Sequence, residues 1–195
     1  GDRATVVDFR LYLPKKWSSD ELRCKKAGVP TDLRAFKTKA ELALEMVKSL
    51  RDRGSRFAWT GVDGGYGKEP AFLRGLDAMN EVFVADIHKD QLIYLDDPDP
   101  IVPPRKSHKG KKPTKHRAQT DAIRVDAWVA QQPEADWCRH TLRDSTKGEL
   151  RVQILHRRVW LWDKKEAAAH HWHLIVRREP NSPETLKYTL SNAPE

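Results

Sequence analysis

Apolar residues recur at helical spacing through Leu42, Met46, Val47 and Leu50, behind an N-cap signal in Thr38 with Glu41 three residues on, and ahead of a stop at Gly54. That pattern predicts one amphipathic helix. A short apolar run at 57–62 then closes on Asp63, which opens directly into Gly64, Gly65, Tyr66 and Gly67. It predicts a buried strand, an acid at its end and a glycine turn. Residues 70–79 carry Phe72, Leu73 and Leu76 on one face of a second helix, and 82–87 reads as a second buried strand. Two short apolar strands joined by a helix predict a parallel βαβ pair. Ahead of these, residues 4–13 put Val7, Phe9, Leu11 and Leu13 on one face of a further strand.

The period changes in the second half. Residues 124–129, 149–162 and 171–177 alternate apolar and polar side chains, which predicts strands with one wet face. In 149–162, Leu150, Val152 and Ile154 fall on one side, while Arg151, Gln153 and, past a bulge, Arg157 or Arg158 face out; Trp160 and Trp162 share a face. Residues 144–148 read as a hairpin turn that leaves Lys147 available to phosphate. The expected fold is α/β, a core of βαβ units over 1–101 and a mostly antiparallel β subdomain over 123–195, joined by a flexible stretch at 102–122.

Charge sharpens that division. The chain has a formal net charge of +8, and the segment 103–117 holds Arg105, Lys106, Lys109, Lys111, Lys112, Lys115 and Arg117 with no acid. Pro103, Pro104, Gly110 and Pro113 oppose regular structure there, so the segment reads as a loop or linker. Such an arm binds phosphates through counterion release without reading bases; the alternative is a linker kept soluble by its charge. No apolar run approaches the length of a membrane span, and Cys24 and Cys138 form no metal or redox motif. Both features lead to the expectation of a cytoplasmic protein with no membrane partner.

Several side chains invite chemistry. Asp63 stands where open α/β sheets gather functional groups, outside the carboxyl end of a strand; it could hold a metal ion or simply cap the next turn. Five of the seven tryptophans, Trp128, Trp137, Trp160, Trp162 and Trp172, lie after residue 122. With Arg157, Arg158, Arg177 and Arg178 they could form a stacking and phosphate-clamping surface, or they could fill a small core. His171 and His173 share a strand face, but no third ligand stands at a recognisable spacing, so an exposed polar face is the reading kept over zinc. Asp96, Asp97 and Asp99 read as a surface turn.

The stretch 8–14, Trp17, the stretch 21–30, the stretch 36–43, the loop from Trp59 to Gly67, the stretch 142–150 and the stretch 172–179 together resemble bacterial insertion-sequence DDE transposases, in family order and across the whole chain. The resemblance implies a partial RNase H-like catalytic core followed by a β insertion that grips the transposon end, often with an aromatic residue receiving an unstacked base. It implies two aspartates and a glutamate binding Mg²⁺ (or Mn²⁺) to cut and join DNA, with transposon ends and target DNA as partners; self-association of the parent on DNA stays open. Asp63 matches the second aspartate, although relatives commonly carry another acid where this chain has Gly64. The first aspartate would lie on a strand before Gly1 and the glutamate on a helix beyond Glu195. The expectation is therefore a fragment that is inactive alone, because one carboxylate cannot hold a two-metal pair. The alternative is a non-catalytic DNA-binding remnant.

Overall fold

The computed structural model describes residues 4–105, 111–145, 148–164 and 166–194. Helix α1 (Lys15–Ser18), α2 (Glu21–Lys26) and α3 (Lys39–Asp52) precede β1 (Thr60–Val62), α4 (Gly64–Gly67), α5 (Pro70–Ala78) and β2 (Phe83–Ile87). Then come β3 (Leu92–Ile93), β4 (Ile123–Arg124), α6 (Val125–Val129), β5 (Cys138–Ser145), β6 (Gly148–Leu161), β7 (His170–Glu179) and β8 (Ser182–Ser191).

The start of α3 follows the sequence signal closely. Thr38 Oγ1 accepts from the Glu41 amide while the Glu41 carboxylate accepts from the Thr38 amide, a complete capping box. Gly54, at φ +85, then turns the chain out of the helix in a conformation that side chains resist. Helix α5 buries Phe72, Leu73 and Leu76 and lies close to α3 at Gly75, where any Cβ would fall 2.7 Å from Leu44. The expected βαβ unit is present: β1 pairs with β2 in parallel, with Val62 opposite Ala85.

One six-stranded sheet in the order β1-β2-β8-β7-β6-β5 spans most of the chain, and β3 pairs with β4 in a small second sheet. Its one buried face joins Phe83 and Ala85 of β2 to Leu190 of β8, Trp172, Leu174 and Val176 of β7, and Leu155 and Val159 of β6. Strands from both 1–101 and 123–195 thus lie in one sheet and contribute to one core. Asn192 fastens their junction: its Oδ1 accepts from the Phe83 amide at 2.8 Å, and its Nδ2 donates to Asp77 and to the Glu81 carbonyl. Arg51 and Glu81 form a two-pronged ion pair that ties the end of α3 to the turn before β2.

Three local expectations are corrected. Residues 4–13 form no strand; among the described residues no strand pairs with them, and Val6, Val7, Phe9 and Leu11 are exposed, because an extended apolar stretch becomes a strand only against a partner edge. Residues 125–129 are helix α6, whose buried Val125, Trp128 and Val129 stand at i, i+3 and i+4. The glycine turn after Asp63 is the single helical turn α4. In β6 the unbroken pairing of 151–154 with β5 keeps Val152 and Ile154 on one side, as expected, while Leu155, Val159 and Leu161 are buried on the other. The hairpin near 144–148 holds, with Ser145 opposite Gly148.

Candidate metal-binding acid and nucleic-acid interface

Val62, buried, ends β1, and Asp63 follows in extended conformation with its side chain at the surface. Its Oδ1 accepts from the Gly65 amide at 2.9 Å and the Tyr66 amide at 3.1 Å, which fixes the carboxylate while Gly67 donates 2.7 Å to its backbone carbonyl. Capping and exposure therefore coexist in one residue. The tightness of the turn comes from Gly67, where a Cβ would stand 1.9 Å from the carbonyl oxygen of Asp86. Gly64 is less confined, its nearest side-chain neighbour being His88 at 3.7 Å from a Cβ placed there.

Among the described residues no three His, Cys, Asp or Glu side chains come together as a metal-binding group. Asp63 alone offers one carboxylate, with Oδ1 already accepting two amides, so the described residues do not form a two-ion centre. Beside the Asp63 turn runs an open groove of about 410 Å³ of mixed charge, lined by Lys68, His88, Tyr94, Trp162 and Lys164 together with the acids Asp90 and Asp163. Its aromatic wall is Tyr94 with Trp162, ring centroids 6.5 Å apart, and the Trp162 indole N–H donates to the Glu166 carbonyl at 2.8 Å. Sequence reasoning missed Lys68, His88 and Tyr94, because only the fold brings them to Trp162.

The basic arm is a loop closed at its base. The Ile101 amide donates to the Arg117 carbonyl at 3.1 Å and the Arg117 amide returns a bond to Ile101 at 2.8 Å. Lys111, Lys112, Lys115 and Arg117 are exposed, as is Arg105. Lys106, Lys109 and Lys147 lie outside the described residues.

The sheet separates the remaining candidates. Arg157 is exposed, opposite Leu174. Arg178 is held inward: it donates to Gln153 at 2.8 Å, pairs with Glu134 and lies 4.0 Å over the Trp137 ring. That guanidinium holds the Glu134 carboxyl below its ordinary value, against the opposing effect of burial. Arg177 stands opposite Lys187. Trp128, Trp137 and Trp172 are buried, while Trp160 and Trp162 are half-buried. Trp160 stacks on His171, and Trp162 lies past the end of β6 toward Tyr94. Arg158 donates to the His171 carbonyl at 2.7 Å and approaches His171 Nδ1 and His173 Nε2. His156 completes that group at 2.8 Å from His173. The alternation at 171–173 marked half of it; the cross-strand half depends on pairing that no local pattern records.

No helix among the described residues is long and apolar enough to cross a membrane. The profile of the DDE superfamily endonuclease family matches residues 1–149. A search of curated proteins finds no match.

Proposed function

Since this chain belongs to the DDE superfamily endonucleases, we propose that it is the part of an insertion-sequence transposase that contributes Asp63 to a divalent-metal centre and a basic surface to DNA. Membership makes a DNA phosphodiester the substrate class, and enzymes of this superfamily generally use divalent metals. The observation that carries the reading is the pinned, exposed carboxylate of Asp63 at the carboxyl end of a parallel strand. Mg²⁺ or Mn²⁺ supplies Lewis-acid stabilisation of the phosphoryl oxygens when bound. This chain's own contribution is positional: α4 fixes the acid, and Gly67 lets that turn lie against β2.

In this reading further carboxylates must join Asp63, and residues 1–195 alone do not cleave. DNA is held by Arg105, Lys106, Lys109, Lys111, Lys112, Lys115 and Arg117 of the arm, by Lys147, Arg157 and Arg177, and near Trp160 and Trp162; Arg158 contributes from within its histidine cluster, and Arg178 braces Trp137. The test is the complete gene product carrying Asp63→Asn. Asn caps a helix about as well as Asp, so the variant folds and binds DNA but does not cut it. Metal-dependent nicking by purified residues 1–195 overturns the proposal.

A further inference from the structure

Positive charge is concentrated in two segments of the chain. The loop at 103–117 is one; the other is 14–39, where Lys15, Lys16, Arg23, Lys25, Lys26, Arg34, Lys37 and Lys39 stand against Asp20, Glu21 and Asp32. Together the two segments carry more net charge than the +8 of the whole chain, so the remainder is net acidic. A polyanion is therefore steered to these two places.

The second segment is folded. Helices α1 and α2 form a short hairpin over a small core of Leu13, Trp17, Cys24 and Val29. Cys24 is fully buried and donates to the Trp17 carbonyl at 3.1 Å, Asp20 caps α2 by accepting from the Arg23 amide at 2.9 Å, and the Arg23 guanidinium lies 4.0 Å over the Trp17 ring. Leu13 precedes α1 and Val29 follows α2, so their packing brings the entry and the exit of the hairpin together. Lys15 and Lys16, which open α1, thus stand at the same end as Lys25 and Lys26, which close α2, while Asp20 and Glu21 lie at the connection between the helices. Arg34, whose Nε donates to the Val29 carbonyl at 2.9 Å, and Lys39, 5.3 Å from the Tyr12 ring centroid, flank that end; Asp32, in the turn after Pro30, is the acid beside it. All four lysines are exposed, and among the described residues none of them is held in an ion pair, whereas Lys37 pairs with Glu45 and Lys48 with Asp52.

We propose that the end of the α1–α2 hairpin carrying Lys15, Lys16, Lys25 and Lys26 is a second phosphate-contact surface, which grips the backbone of duplex DNA without reading its bases. The inference rests on the DNA-binding reading above and adds a contact separate from the loop at 101–117. Charge complementarity supports the occupant: duplex DNA carries about one charge per 1.7 Å of axis, enough to meet several lysines of one cluster at once. Ammonium groups on a capped hairpin with its own core approach the backbone from a set direction, and contacts of that kind position DNA rather than select its sequence.

The experiment titrates a labelled duplex with the protein over a series of salt concentrations, comparing the unaltered chain with a variant carrying Lys15→Gln, Lys16→Gln, Lys25→Gln and Lys26→Gln. Loss of about two to three phosphate contacts flattens the slope of log affinity against log salt by about 2–3 units, and does so equally on a second duplex of unrelated sequence. Arginine at the same four positions keeps the slope, which separates lost charge from a disturbed hairpin. Chemical acetylation of the unaltered protein reads the same contact without a variant: the duplex shields Lys15, Lys16, Lys25 and Lys26 from the reagent. An unchanged slope in the glutamine variant, a slope flattened as much by arginine, or four lysines that label equally with and without duplex overturns this inference and leaves the DNA reading standing. Absence of duplex binding by the unaltered protein at every salt concentration overturns both.

Discussion

Gly67 and Asp86 meet so closely that a Cβ on the first would lie 1.9 Å from the carbonyl oxygen of the second. This contact sets how near α4 sits to β2, and α4 carries the amides that orient Asp63. Gly67→Ala must push backbone from backbone and destabilises the fold by about 1–3 kcal/mol or more. Gly64→Ala, with only ordinary contacts at 3.7 Å, costs much less. Denaturant melts of the two variants make the comparison, and a Gly67→Ala protein as stable as Gly64→Ala would show that the turn is free to move.

The tryptophans divide by burial. Trp128 at 3% exposure and Trp172 at 5% belong to the core, and Trp172 meets Phe83 edge to face at 5.0 Å. Truncating either to alanine costs about 3–5 kcal/mol. Trp160→Ala and Trp162→Ala lose less stability and more DNA affinity. Thermal melts alongside oligomer titrations on the single variants check the division; stability and binding lost in step at Trp160 and Trp162 would make them core residues as well.

The loop closed by Ile101 and Arg117 should account for most of the salt dependence of DNA binding. If it neutralises about five phosphates, log affinity against log salt has a slope near −4.5, and neutralising Lys109, Lys111, Lys112 and Lys115 flattens it by about 3–4 units. An unchanged slope in the quadruple variant would leave the loop as a solvated connection.

Local signals were legible where local physics decides. The capping box of α3, the stop at Gly54 and the hairpin at 144–148 could be read directly, because each depends on residues a few positions apart, and the βαβ pair followed from the order strand, helix, strand. Residues 125–129 misled because Val125, Trp128 and Val129 fit a helix as well as the apparent alternation fits a strand. The extended stretch 4–13 showed strand character without a partner, which sequence cannot test. The position of Asp63 was foreseen, but the reason it is rigid was not, since the approach of Gly67 to Asp86 joins the turn α4 to a strand about twenty positions further along the chain. His156, Arg158 and His173 were likewise hidden by a cross-strand register.

The central claim is that Asp63 ligates the metal, and a change of donor atom tests it most directly. A thiolate is a softer ligand than a carboxylate and suits Mg²⁺ poorly, while Mn²⁺ accepts it better. The measurement is nicking of supercoiled plasmid by the complete gene product carrying Asp63→Cys, in Mg²⁺ and in Mn²⁺, beside the unaltered protein. The account predicts loss of cleavage in Mg²⁺ and recovery in Mn²⁺. Cleavage undiminished in both metals, or abolished equally in both by a variant that still folds and binds DNA, would contradict it.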